Sequence, residues 1–293
     1  MRSEIALPEL MPWVGPDGEP DVEVRLGPVP KALKNPVHSG PFAEADAGGT
    51  MLVRIDAVAR YLVTGRRTVV IDPAPGAPAS DVRMFLLGSV LGLLCHLRGY
   101  LPLHGACVIV GERAIALVGH AGEGKSTMAA ALAEAGHRLL ADDITALQIS
   151  DTSVLVQPTF PRIKLWSDSL AALGVKEEGL STNRNRQGKY HVFRPEGFAA
   201  EPVPLSAIYE LRSDPLCTEP QVESIRGAKA MAEIYPHIYR RRLGELAAGA
   251  PAIFRGLQKL LREVPYFSIT RRRDISELNR LVKTIETSAA SLT

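Results

Sequence analysis

Cysteine is scarce in this chain: its 293 residues hold only Cys95, Cys107 and Cys217. These lie far apart in apolar or strand-like surroundings, with no C-x-x-C or Cys/His spacing. That excludes a zinc module and a disulfide framework and predicts buried thiols in a reducing compartment. An excess of one charge is also missing. Lys and Arg number 34 against 32 Asp and Glu, a net charge of +2, so neither nucleic acid nor a membrane is expected as a partner. The basic runs Arg240 to Arg242 and Arg271 to Arg273 read as helix-face and turn charges, because they lack the interleaved aromatics of a nucleic-acid platform. Long apolar runs are absent as well. The strongest, Met84 to Leu97, is shorter than the ~20 residues of a membrane span. It contains Gly88, Ser89 and His96 between Arg83 and Arg98, so it reads as a buried helix. The opening MRSEIALPELMPW carries acids and prolines where a secretory signal needs a continuous apolar stretch, and a cytoplasmic location is expected.

What is present is an α/β pattern in two parts. Residues 1–80 are β-rich. Val22, Val24 and Leu26 alternate with charged residues, and Met51 to Ile55, Arg60 to Val63 and Thr68 to Ile71 are short strand-like runs between turns. Pro73 to Pro78 then stops regular structure, which sets the expected boundary between a domain of residues 1–80 and one of residues 81–293. A helix from Asp81 to about Arg98 follows. Beyond Leu103, strands alternate with helices. Ala106 to Val110 and Ala114 to Val118 form a hairpin around Gly111, Ser126 to Ala135 is a helix stopped by Gly136, and His137 to Ala141 is a buried strand. Ser206 to Arg212 and Tyr266 to Thr270 are further strands. Ala228 to Ala248 carries a helical pattern interrupted at Pro236, and Phe254 to Glu263 is helical. Asp274 with Glu277 makes a capping box for a last helix to about Ile285.

The sharpest motif is Gly119, His120, Ala121, Gly122, Glu123, Gly124, Lys125, Ser126, a complete G-x-x-x-x-G-K-S followed by Thr127. A strand leads in and a helix leads out, as a phosphate-cradling loop requires. Its amides would turn toward phosphate oxygens, with Lys125 reaching the β- and γ-phosphates and the Ser126 hydroxyl ligating Mg2+. Next comes an apolar strand ending in Asp142 and Asp143. Two acids beside such a loop leave a choice between holding the metal and accepting a proton. In a strand their side chains point to opposite faces, so both aim at one site only if the strand ends between them. His104, one strand earlier, could orient a carboxylate.

His104-Gly105, the loop Gly119 to Ser126, and the run Gly136 to Asp143 together resemble the catalytic half of HPr kinase/phosphorylase in order and spacing. That resemblance implies a phosphoenolpyruvate-carboxykinase-like P-loop fold with a β-rich N-terminal domain, ATP and Mg2+ as cofactors, and phosphoryl transfer to a serine hydroxyl. It also implies Asp142 as the base that accepts the serine proton, His104 beside it, and Asp143 supporting metal and phosphates. The family's Glu-Ile-Arg-Gly signature is replaced by Pro161 to Asp168. This segment, the β-rich N-terminal region and the Leu101 to Gly105 run more closely resemble HPr-kinase-related kinases found with lasso-peptide genes. Those are understood to phosphorylate a precursor peptide, typically at a C-terminal serine. The implied partner is therefore a serine-bearing peptide or protein. HPr kinases form homo-oligomers, but the N-terminal region here does not resemble theirs.

Arg184, Arg186 and Lys189 fall in a Gly/Asn-rich segment, Thr182 to Gly188, that reads as a mobile loop able to close over phosphate or bind a peptide carboxylate. Arg162 and Lys164 alternate on a strand and complete the candidate clamp. Two rivals stand beside a peptide kinase: a kinase for another protein or a small alcohol, and an ATP-sensing interaction protein that transfers nothing.

Overall fold

The computed structural model describes residues 1–13, 18–183 and 186–292, with backbone alone at 11–13, 181–183 and 186–187. The chain forms two compact units, Met1–Tyr100 with Tyr239–Phe254, and Leu101–Ile238 with Arg255–Thr293. The division falls after Tyr100 rather than near residue 80, because the helix that follows the Pro-rich linker buries its apolar side in the first unit.

In that first unit, β1 (Arg2–Ser3), β2 (Glu23–Leu26), β3 (Pro36–Ser39), β4 (Ala43–Asp46), β5 (Met51–Ile55), β6 (Ala59–Thr64) and β7 (Thr68–Pro73) pair in the order β1-β2-β7-β6-β5-β4-β3. Alternate residues Ala59, Tyr61 and Val63 of β6, and Val69 and Ile71 of β7, are buried, the period of two expected of a sheet with one packed face. Onto that face lie α1 (Ala79–Phe85), a π-turn over Leu86–Val90, and α2 (Leu91–Leu97), which contribute Val82, Leu86, Val90, Leu93 and Leu97 to the shared core. Because the stretch begins at Ala79 rather than Met84, its 19 residues are long and apolar enough, by length and composition alone, to cross a membrane. More than half of it is buried inside the fold. The expected helix Ala228 to Ala248 is two helices, Gly227–Ile234 and Arg241–Ala248. Pro236 offers no amide to continue the first, and Arg240 takes a left-handed φ of 48° before the second starts.

The second unit carries the motifs. Its strands are β8 (Leu101–Leu103), β9 (Ala106–Val110), β10 (Arg113–Val118), β11 (Arg138–Ala141), β12 (Thr145–Ile149), β13 (Val154–Gln157), β14 (Arg162–Trp166), β15 (Ser181–Asn183), β16 (Arg186–Phe193), β17 (Val203–Ser213), β18 (Gln221–Ile225) and β19 (Tyr266–Arg271). The larger sheet runs β11-β9-β10-β17-β13-β12-β8, with β19 and then β18 continuing from the C-terminal half of β17. β10, β17 and β19 are parallel, and β9 with β10 is the expected hairpin. Ala114 to Val118 are all buried, as befits a central strand covered on both faces. α3 (Lys125–Glu134) packs its alanines, Met128 and Leu132 against Val108, Ile115 and Leu117 of this sheet and against Leu281 and Ile285 of the helix Leu278–Ala290. That last helix runs past Ile285. Asp274 caps Ser276 N at 2.9 Å, but Glu277 faces Arg280 at 3.7 Å instead of reaching back, so the capping box is half made.

A smaller sheet runs β14-β16-β15, and its strands β15 and β16 take in the described residues of the segment expected as a mobile loop. Lys189, His191 and Phe193 alternate with Tyr190 and Val192, a strand pattern that the neighbouring glycine and asparagines obscured. The cysteines are free; Cys107 and Cys217 are buried while Cys95 is half-buried.

Glu210, opposite Val118 in the sheet, is buried and accepts from His237 Nε2 (3.1 Å), Tyr266 Oη (2.7 Å) and Arg212 Nη2 (2.5 Å). Burial raises its pKa, but these donors outweigh burial and lower it from 4.5 to about 2. The stability this carboxylate contributes is complete above pH 4.5 and is lost as pH falls toward 2. Glu210→Gln is expected to lower stability at neutral pH and to flatten the acid unfolding curve over that window, measured by denaturant titration at several pH values.

Candidate functional site

The phosphate-loop motif forms the turn from β10 into α3. Gly119, Gly122 and Gly124 take φ of 145°, 91° and 78°, and a Cβ on Gly119 would stand 2.7 Å from the Leu211 carbonyl oxygen. Only glycine fits that approach without a backbone shift. Met128 N donates to Gly124 O at 2.8 Å, closing the first helical turn and leaving the amides of Lys125, Ser126 and Thr127 without intrahelical acceptors. Lys125 folds over its own loop, with Nζ donating to Gly119 O (2.8 Å) and His120 O (3.1 Å). Burial pushes the pKa of its ammonium down, Asp142 opposes this, and Lys189 adds to it. The Thr127 hydroxyl shares a hydrogen bond with Ser169 Oγ at 2.9 Å.

The two acids meet in one cluster. β11 ends at Ala141, and Asp143 adopts a left-handed φ of 74°, so the alternation of a strand no longer separates the two side chains. Asp142 is buried. Its Oδ1 accepts from Ser126 Oγ at 2.8 Å and its Oδ2 from Lys164 N at 2.9 Å. Burial pushes this carboxyl above the usual range and the charge of Asp143 adds to the rise, against the two hydrogen bonds. Asp143 Oδ2 accepts from Lys164 Nζ at 2.7 Å, and its Oδ1 lies 3.5 Å from His104 Nδ1. Burial again raises the pKa, but the charges of Lys164 and His104 outweigh it and hold Asp143 well below the ordinary value. Its side chain is 23% exposed, so it remains reachable where Asp142 is not.

His104 donates from Nδ1 to the Asp143 carbonyl at 3.1 Å, and its own amide donates to His237 O at 2.7 Å. Burial pushes its pKa down, with Asp143 opposing. Gly105 follows because a Cβ there would lie 2.5 Å from the Leu117 carbonyl oxygen.

Of the clamp candidates, Lys164 is brought directly onto the acids. Arg162 Nη1 lies 3.5 Å from His191 Nδ1, with its guanidinium 4.8 Å from the Phe160 ring centroid. Lys189 Nζ stands 5.7 Å from the Trp166 ring centroid, and its charge acts on Lys125, Asp143 and His191. Arg184 and the side chain of Arg186 lie outside the described residues.

Two cations that the sequence placed in a turn reach the loop instead. Arg271, buried at the end of β19, donates from Nη2 to Glu123 O at 2.5 Å, with Nη1 3.8 Å from Glu123 Oε2. Ser213 Oγ donates to the same carboxylate at 2.9 Å. The Arg273 guanidinium nitrogens stand 3.9 Å from where a Gly122 Cβ would be. No sequence pattern placed Arg273, which lies past the end of β19 at Arg271.

The donor set fits a nucleoside triphosphate with Mg2+. Loop amides and Lys125 suit phosphate oxygens, while the Ser126 hydroxyl and Asp142 suit a hard cation that keeps waters and phosphate ligands. Among the described residues no group of three or more His, Cys, Asp or Glu could hold a metal by itself.

Neither a family model nor a curated protein matches the chain. Among solved structures, an Hpr(Ser) kinase/phosphatase from Coxiella burnetii aligns over 64% of this chain and 91% of its own, at 13% identity and a TM-score of 0.34. A likeness that distant carries no functional argument, and the hydrogen bonds among Ser126, Asp142, Lys164, Asp143 and His104 must carry it instead.

Proposed function

We propose that this protein is an ATP-dependent phosphotransferase that moves the γ-phosphoryl group to a serine hydroxyl, the acceptor being the C-terminal serine of a lasso precursor peptide in the cytoplasm. One observation carries the transferase reading. The loop hydroxyl suited to Mg2+, Ser126 Oγ, is bonded to a buried carboxylate, and a second, reachable carboxylate sits on the next residue, held by Lys164 and His104. A module that only sensed ATP would have no use for the second acid. Support for the peptide acceptor comes from the segment that carries the lasso-kinase resemblance. Lys164 within it touches both acids, Asp142 through its amide and Asp143 through its ammonium. The β-rich first unit is proposed to hold a peptide partner.

Catalysis in this reading is positioning and charge neutralisation. Loop amides and Lys125 hold the phosphates, and Mg2+, when bound at Ser126 and Asp142, supplies charge neutralisation at the transferring group. The resemblance gives Asp142 as proton acceptor and Asp143 as the metal's partner. Exposure favours the reverse: Asp142 is buried against Ser126, whereas Asp143, with a side chain 23% exposed, can meet a hydroxyl. Asp143 then takes the serine proton as the hydroxyl oxygen attacks phosphorus, and Lys164 and His104 fix its orientation.

Intact mass spectrometry of a lasso precursor ending in serine, incubated with protein, ATP and Mg2+, tests the reading. Addition of a phosphoryl mass to the serine peptide, and none to its serine-to-alanine counterpart, is the expected result. No addition despite saturating ATP would remove the peptide acceptor.

A further inference from the structure

One face of the small β14-β16 sheet remains unexplained by phosphate binding. The antiparallel register pairs Arg162 with Phe193, Lys164 with His191 and Trp166 with Lys189, so these six residues share a face. The opposite face sends Ile163, Leu165 and Val192 into the core. Two aromatics stand at opposite corners of the shared face and are open to solvent, Trp166 at 41% and Phe193 at 48%. Between them are three cations. Asp143 supplies one carboxylate against them, through Lys164. His191 adds no negative charge and stays neutral: burial, Arg162, Lys164 and Lys189 lower its pKa to about 4. Its Nε2 is buried and has no hydrogen-bond partner among the described residues. The face thus carries three cations, is apolar at its corners, and is joined by Lys164 to the acid assigned to the acceptor hydroxyl.

We propose that this face is the acceptor subsite, and that its cations bind the α-carboxylate of the serine being phosphorylated. The inference rests on the transferase reading above and deepens it. A serine at a chain end has its hydroxyl and its carboxylate on adjacent carbons, so a hydroxyl at Asp143 places the carboxylate within a few ångströms, where Lys164, Lys189 and Arg162 cluster. Charge-assisted bonds from these groups favour an anion strongly over a neutral amide. Trp166 and Phe193 give the preceding residues of the peptide apolar surface to lie on.

Trp166 is itself the probe. In Trp13→Phe protein it is the sole tryptophan, and its fluorescence is titrated with two peptides of one sequence ending in serine, one a free acid and one a C-terminal amide. The free acid is expected to bind about tenfold tighter, and Lys189→Gln to erase most of that preference. Lys189→Met serves as a second variant with the same expectation should the glutamine form fold poorly. Equal binding of acid and amide, or a preference that survives both variants, overturns the proposal. A loss of ATP affinity in place of acid preference also overturns it and assigns the face to nucleotide phosphates. Because the readout is binding, acid preference without transfer keeps the carboxylate site and removes the transferase reading, whereas transfer without acid preference removes the carboxylate site and keeps the transferase reading.

Discussion

Asp143→Asn is expected to slow phosphoryl transfer by about a hundred- to ten-thousandfold, the usual worth of a positioned general base, with ATP affinity nearly unchanged. The amide is nearly the shape of the carboxylate, so the hydrogen bond to Lys164 survives in weakened form and the fold has little reason to shift. What disappears is the atom that takes the proton. Asp142→Asn should behave differently. Its carboxylate accepts from Ser126 Oγ at 2.8 Å inside a buried pocket, so the substitution should raise the Mg2+ concentration needed for half-maximal activity as well as lower the rate. Single-turnover rates measured across an Mg2+ series separate the two. If Asp142→Asn abolishes transfer with unaltered Mg2+ dependence while Asp143→Asn shifts that dependence, the roles implied by the family resemblance stand and the exchanged assignment falls.

Lys125→Ala is expected to weaken ATP binding and to cost about a further hundred- to thousandfold in turnover, the scale of removing one preorganised donor from a developing charge. In the structure the ammonium rests on Gly119 O and His120 O, at 2.8 Å and 3.1 Å. These are neutral carbonyls that a phosphate oxygen outcompetes. Two other features limit the structural damage: α3 is held mainly by Met128, Leu132 and its alanines, and Glu123 is anchored separately by Arg271 and Ser213. The variant should therefore fold normally while failing in calorimetric ATP titration. Unaltered affinity would mean that the loop does not cradle phosphates.

Local signals made much of this legible beforehand. The strand-turn-helix around the loop, the β9-β10 hairpin and the acids ending β11 all follow from residues close in sequence. The convergence of Asp142 and Asp143 did not, since it depends on a left-handed turn at a non-glycine residue, which no side-chain pattern announces. Arg271 and Arg273 were missed for a different reason: Arg271 meets Glu123 across a separation of 148 residues, through the parallel pairing of β17 with β19. A basic triplet looks the same in a solvated turn as beside a phosphate loop. The β14-β16 sheet was half seen. Alternation placed Arg162 and Lys164 on one side of a strand, but its pairing partner resembled a loop because Gly188 and the asparagines before it are strand breakers.

Phosphorus NMR of the protein with ATP, Mg2+ and a serine-terminated lasso precursor distinguishes transfer from hydrolysis and from mere binding in a single spectrum. A phosphomonoester resonance growing in step with ADP, absent with the serine-to-alanine peptide, is the result expected of a loop and two acids arranged to move a phosphoryl group. ADP accompanied only by inorganic phosphate, or an ATP spectrum that broadens on binding and never turns over, would contradict it.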